Sequence, residues 1–317
     1  MLTVGIDLGG TNIAVGLVKD DKVLNRLSVP TRAERPIEEV IADMAAAAKK
    51  CCADGGVTLD DLAWIGVGCP GTINGDTGVV EYSNNIKMKH VPMRDMLSKL
   101  LENKPVYIEN DANAAAWGEF CAGAAKGTKS AVAVTLGTGV GSGIILNGRL
   151  FSGHNWAGGE MGHMVIEVGG RACTCGRRGC FEAYASATGL INLTKDAMRE
   201  QKDTVMWKLC GGDIDRVGGK TSFDAMRAGD AVGKQVVDTY IGYLGAGIVN
   251  IINIFQPEVV TISGGISREG AYLTEPLQKI IEAERYSKYC ESQTKVTVAS
   301  LGTDAGILGA ALLGKNV

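Results

Sequence analysis

The sequence has no excess of basic charge: 32 lysines and arginines stand against 35 aspartates and glutamates, a formal net charge of −3. That balance leaves no electrostatic footprint for nucleic acid or an anionic membrane. A long apolar run is also missing. The longest weakly polar stretch, Tyr240 to Phe255, rises about 1.5 Å per residue as a helix, is short for a bilayer, and reads as a buried helix. The opening MLTVGIDLGG lacks the basic segment of a secretory signal and reaches Asp7 and a glycine pair at once, so a cytoplasmic location is expected. No stretch is biased enough to be a linker or low-complexity segment. The nine cysteines, an odd number with Cys51 and Cys52 adjacent, make a poor disulfide framework. What remains is globular: 317 residues, 45% hydrophobic and 21% charged, enough for one large domain or two ordinary ones.

Periodicity divides the chain into α/β elements. Leu2 to Leu8, Ile13 to Val18 and Lys22 to Val29 read as a β-meander. Ile37 to Cys52 reads as a helix, with Ile37, Val40, Ile41, Met44 and Ala48 at helical spacing and a stop at Gly55-Gly56. Strands are expected at Trp64 to Val67 and Val106 to Glu109, and helices at Val91 to Leu101 and Asn113 to Phe120. Ser130 to Leu136 and Ser142 to Leu146 form a second strand pair around a glycine turn. Further helices are expected at Ser186 to Glu200, Phe223 to Ile252 and Ala305 to Leu313, with a strand at Val259 to Ile262. A strand–glycine turn–strand unit therefore occurs twice, which points to two similar halves flanking a cleft. The expected division is a small N-terminal α/β domain, 1–118 joined by about 303–317, and a larger one, 119–302.

Three glycine loops suit phosphate groups, because glycine lets backbone N–H groups approach closely. The first is Asp7-Leu8-Gly9-Gly10-Thr11-Asn12, where Thr11 and Asn12 add donors and Asp7 suits Mg²⁺ held through water. The second is TLGTGVGSG, with Thr135, Gly137, Thr138 and Gly139; it is neither a Walker loop nor G-x-G-x-x-G. The third is Ile262-Ser263-Gly264-Gly265, which could face a base or ribose. Gly123 to Ser130 is not a Walker loop, since no glycine directly precedes Lys129. Each loop alone could be an ordinary turn; the three together point to a nucleotide.

Glu109-Asn110-Asp111-Ala112-Asn113 falls where a strand ends and a helix begins, the place where α/β folds bind ligands. Asp111 there is either a helix N-cap or, beside phosphate loops, a general base for a hydroxyl. His163, Cys173, Cys175 and Cys180 have the spacing H-x9-C-x-C-x4-C. Four nitrogen and sulfur ligands suit tetrahedral Zn²⁺, and a closed set implies a structural metal. Glu160, three residues before His163, would share a helical face with it, and Glu182 follows Cys180 by two. Both carboxylates could accept hydrogen bonds from sugar hydroxyls.

DLGGTN, Cys69-Pro70-Gly71, ENDAN, TLGTGVGSG, GGEMGH and CTCGRRGCFE, in that order, resemble the ROK family of sugar kinases and repressors nearly end to end. The resemblance implies an actin-like, ribonuclease-H-type two-domain sugar kinase fold, with ATP and sugar meeting in the interdomain cleft. It implies Asp111 as base, Asn110, Glu160, His163 and Glu182 as sugar ligands, and zinc at His163, Cys173, Cys175 and Cys180. His163 would then serve metal and sugar together. Gly71 and the Ser83-Asn84-Asn85 segment resemble the family's other substrate-side loops. Met161 stands where the family often has Leu or Ile, a conservative packing change. The run GCFEAYASATGL is most similar to bacterial glucokinases, which implies transfer of the ATP γ-phosphate to the glucose 6-hydroxyl. Kinases for N-acetylmannosamine, N-acetylglucosamine, fructose or allose are the same-class alternatives; a non-catalytic sugar sensor is the other. The family's repressors carry an N-terminal helix-turn-helix, and this chain begins at its first strand, so repression is not expected. A homodimer or homotetramer is implied.

Overall fold

A computed structural model describes residues 1–316. The chain forms two compact units. The first comprises Met1–Ala133, Gly143–Gly159 and the segment from Ala299 onward; the second comprises Val134–Ser142 and Glu160–Val298.

In the first unit, β1 (Leu2–Leu8), β2 (Asn12–Lys19) and β3 (Lys22–Pro30) form the expected antiparallel meander. Then come α1 (Ile37–Asp54) and β4 (Trp64–Cys69), the latter parallel to β1. A small antiparallel sheet follows, of β5 (Thr72–Asn74), β6 (Val79–Ser83) and β7 (Met88–Val91). After α2 (Met93–Leu100), β8 (Val106–Asn110) pairs parallel to β4 and leads into α3 (Asp111–Ala122). The main sheet runs β3-β2-β1-β4-β8. Alternation along β1 decides its two faces. Val4, Ile6 and Leu8 enter a core with Val40, Ile41 and Met44 of α1. Gly5 and Asp7 face the opposite way, toward the closing helix Ala305–Ala311. Glycine is required there: a methyl group on Gly66 would overlap the Ala310 carbonyl, and one on Gly309 the Ala114 carbonyl. The close approach seats α3, and with it Asp111, against the carboxyl ends of β1 and β4.

The second five-stranded sheet contains β9 (Ala131–Leu136), β10 (Val140–Leu146), β11 (Arg149–Leu150), β12 (Val259–Gly264) and β13 (Lys295–Val298), in the order β11-β10-β9-β12-β13. This repeats the plan of the first sheet, strand for strand, and is the duplicated mixed α/β arrangement of the actin-like, ribonuclease-H-type fold. The helices of the second unit are α4 (Glu182–Ala185), α5 (Ala187–Glu200), α6 (Met206–Leu209), α7 (Thr221–Arg227), α8 (Ala231–Phe255) and α9 (Ala271–Glu284). Among the described residues no helix is long and apolar enough to cross a membrane. Tyr240, Leu244, Ile248 and Ile252 of α8 are buried, as the sequence pattern requires.

Three helix expectations need correction. Phe223 to Ile252 is two helices, because Gly229 takes φ +84° and Asp230 caps α8 by accepting the Gly233 N–H at 2.7 Å. Ser186 to Glu200 is preceded by α4, and Ser186 itself is the extended N-cap of α5. Val91 ends β7, and Pro92 sets the start of α2. Residue 118 lies inside the continuous helix α3, and Gly143–Gly159 returns to the first unit, an excursion the sequence-based domain limits do not include.

Candidate active site

The corner between β8 and α3 is built from its own five residues. Asn110, not Asp111, is the N-cap: its Oδ1 accepts the Ala112 N–H at 2.9 Å and the Asn113 N–H at 3.2 Å. Its Nδ2 donates to the Gly71 carbonyl at 3.0 Å. Gly71 has φ +113°, and a side chain there would strike the Tyr82 carbonyl, so the turn after β4 is held against the cap. Asp111 is left as the first helical residue, its carboxylate taking local hydrogen bonds, among them the Ala112 N–H on Oδ1 at 2.9 Å. Burial pushes the Asp111 carboxyl above the usual carboxylate range. Asp7 faces the same corner. Burial, and then the charge of Asp111, raise its carboxyl to about 6. A buried carboxylate whose proton affinity is raised by a second acid nearby suits a divalent cation as its charge partner. Asn84 and Asn85 stand exposed on the turn between β6 and β7, with Asn84 Oδ1 accepting the Tyr82 hydroxyl at 3.4 Å.

The first glycine loop joins β1 to β2. Buried Thr31 ties down its carbonyls: the hydroxyl donates to Gly9 O at 2.6 Å and the N–H to Thr11 O at 2.8 Å. Gly10, Thr11 and Asn12 remain exposed. In the second unit the glycine loop between β9 and β10 is anchored in the same manner. Gly137 O accepts the Ala187 N–H at 2.9 Å and Thr138 O the Thr188 hydroxyl at 2.8 Å. Carbonyl oxygens repel phosphate, so occupying them elsewhere favours phosphate at the loop N–H groups other than those of Gly9 and Gly137, which donate within their own loops. Thr135 Oγ1 lies 2.9 Å from Ser263 Oγ, which brings the loop beside Gly264-Gly265. Gly264 has φ +94° and fits tightly over the Leu136 backbone.

The cysteine loop is in the second unit as well. One ligand atom from each of His163, Cys173, Cys175 and Cys180 lies within 4.8 Å of all the others. Cys175 Sγ and Cys180 Sγ are 3.7 Å apart, and Cys173 Sγ and His163 Nδ1 are 3.6 Å apart. Zn–S bonds of about 2.3 Å in a tetrahedron give edges of about 3.8 Å, so the cluster has room for one such ion. Gly176 (φ +88°) and Gly179 (φ +81°) make the turns that bring the sulfurs together. Glu160 is exposed and precedes a 3₁₀ turn, Met161–His163, in which the His163 N–H donates to Glu160 O at 3.0 Å. With Nδ1 of His163 turned to Cys173, its Nε2 is left for another partner. The Glu182 carboxylate bridges two motifs: Oε2 accepts the Val140 N–H at 2.9 Å, and Oε1 lies 3.4 Å from Thr174 Oγ1 and 3.7 Å from Cys173 Sγ.

The ROK family sequence pattern matches residues 3–317. A glucokinase of Thermotoga maritima is 38% identical over 315 residues, covering 99% of this chain and 97% of its own. A glucokinase of Halalkalibacterium halodurans is 37% identical over 319 residues, with 99% and 94% covered. Among solved structures, a ROK family glucokinase from Streptomyces griseus, in complex with glucose and AMPPNP, superposes with a TM-score of 0.80 at 32% identity, with 99% of each chain covered.

The chain belongs to the ROK family.

Within this ROK chain the structure gathers Asp7, Gly71, Asn110 and Asp111 in the first unit, and the glycine loop, Glu182 and the cysteine cluster in the second. Sequence reading missed the anchors. Thr31, Ala187 and Thr188 are distant in sequence from the loops they hold, although ASATG carries the Ser186 cap signal. Glu109 carries no comparable sequence signal, yet its carboxylate accepts three hydrogen bonds.

Proposed function

We infer that this ROK-family chain transfers the γ-phosphate of ATP to the 6-hydroxyl of glucose, giving ADP and glucose 6-phosphate. The observation that carries the reading is Asp111: Asn110 takes over the cap, so the half-buried carboxylate is not committed to capping and can also accept a substrate hydroxyl. Burial raises its basicity, which suits a general base. Phosphoryl transfer asks for little else beyond positioning and charge neutralisation. Asp111 would accept the 6-hydroxyl proton as that oxygen attacks the γ-phosphorus, and ADP would leave from the opposite side. Gly71, Asn84, Asn85, Asn110, Glu160, His163 and Glu182 are proposed to orient the sugar. Thr11, Asn12 and the glycine N–H groups of both loops are proposed to hold the phosphates, with Gly264-Gly265 on the nucleoside.

Magnesium is assigned to Asp7, where it would neutralise charge on the β- and γ-phosphates. Zinc is assigned to His163, Cys173, Cys175 and Cys180, where four protein ligands leave no open position and the role is structural. A cytoplasmic location fits nine unpaired thiols. The support for glucose is the two glucokinase relatives and the glucose-bound neighbour.

A coupled phosphate-transfer assay over glucose, fructose, allose, N-acetylmannosamine and N-acetylglucosamine tests this. Glucose is expected to have the highest kcat/KM. A different preferred sugar would correct the substrate; glucose binding without transfer to any sugar would reject the kinase reading in favour of a sensor.

A further inference from the structure

Glu109 is the one member of the Glu109–Asn113 string with no part in capping or proton transfer. It sits at the end of β8, half-buried, and lines a cavity of about 790 Å³ together with Tyr107, Ser152, Trp156 and Asn316. Its Oε1 accepts the Asn110 N–H at 2.9 Å and Asn113 Nδ2 at 3.0 Å. Its Oε2 takes the Ser152 hydroxyl at 3.4 Å. Among the described residues no lysine or arginine pairs with it, and burial raises its carboxyl above the usual range, so the charge it carries rests on hydrogen-bond donors. Its three donors define what it does. Asn110 carries the cap, and buried Asn113 lies in the first turn of α3, so one oxygen grips both sides of Asp111. The other oxygen reaches the loop after β11. That loop is closed on itself by the Gly158 N–H donating to Ser152 O at 2.9 Å, and two residues later the chain reaches Glu160.

We propose that Glu109 is a positioning residue for phosphoryl transfer, bracing Asp111 through Asn110 and Asn113 and steadying, through Ser152, the loop that leads to Glu160 and His163. The proposal rests on Asp111 being the base. A displaced base loses rate steeply, since an error of about 1 Å in a reacting group can cost about 100-fold. Gln at this position keeps an acceptor for both N–H groups, whereas Ala keeps none.

Steady-state kinetics with glucose and ATP, alongside melting temperatures, separate the outcomes. Glu109→Ala is expected to lower kcat by about 10- to 100-fold with the ATP KM within about twofold. Glu109→Gln is expected to recover most of that loss. Ser152→Ala is expected to raise the glucose KM severalfold at near-normal kcat. Asn113→Ala removes a donor with Glu109 in place; it is expected to lower kcat as well, and stands in if Glu109→Ala does not fold. Normal kcat in Glu109→Ala, or in Asn113→Ala should it have to stand in, would overturn the proposal. So would a Gln variant as impaired as the Ala variant, or losses that only follow the fraction unfolded. If the wild-type protein phosphorylates no sugar, the base reading fails instead, and that result is visible before any variant is made.

Discussion

Two polar clusters dominate this chain, and they are held together by opposite means. The Glu109–Asn113 corner in the first unit is complete as protein: the cap, the Gly71 carbonyl and the Glu109 carboxylate pair its polar groups with one another. The His163–Cys180 loop in the second unit is not. Between Met164 and Phe181 its regular structure amounts to two isolated bridges, Val165 with Cys180 and Ala172 with Arg178. Its four ligand side chains are joined by weak sulfur contacts, and Cys175 is exposed. Hydrogen bonds in a packed core can preset a catalytic carboxylate; a loop with so little core of its own needs an ion to set its shape. Chemistry should therefore be most sensitive at the first cluster and metal dependence confined to the second.

The largest effect is expected at Asp111. Asp111→Asn should cut kcat by about 10²- to 10⁴-fold, the usual worth of a general base, and leave glucose affinity within about tenfold by calorimetry. Next comes the metal loop. Cys175→Ser, or chelation, should lower bound zinc, measured by elemental analysis, together with the melting temperature. Hydrogen exchange should then rise across 164–181 and stay unchanged across 106–122. Unaltered zinc stoichiometry would dissolve the contrast.

A smaller effect is expected at Asp7. Its carboxyl is raised from 3.8 to about 6, so the folded state holds that proton more tightly than the unfolded chain. Its contribution therefore becomes more destabilising as pH rises between those values, by up to about 3 kcal/mol at neutral pH. In protein free of Mg²⁺ and nucleotide, Asp7→Asn should be more stable than wild type at pH 7.5, with the gap closing towards pH 4, while activity falls. A lower melting temperature at pH 7.5 would contradict the burial argument. The smallest effects belong to the loop anchors. Thr31→Val and Thr188→Val each remove one hydrogen bond, worth about 1 kcal/mol, and should raise the ATP KM about fivefold without touching zinc content.

What was legible in the sequence follows from distance along the chain. The strand–glycine–strand pattern and the cysteine spacing are local, and both reappear in the structure, the first as two sheets with one strand order. The choice between cap and base for Asp111 needed side-chain geometry, because Asn110 and Asp111 are both good caps. Thr31, Thr188 and Ser152 act on residues 22, 50 and 43 positions away, which no local pattern encodes. The small sheet of β5 to β7 escaped notice because its strands are three to five residues long and His90 takes φ +51°. The apparent single helix from Phe223 to Ile252 concealed a break, since apolar spacing continues across Gly229 while the backbone does not.

The division of labour at the first cluster is the central claim, and one paired measurement reaches it directly: glucose binding and glucose-dependent ADP release, for wild type and Asp111→Asn. The expected result is phosphate transfer to glucose by the wild-type protein, and in the variant retained glucose binding with turnover lost. Undiminished turnover in Asp111→Asn would contradict it.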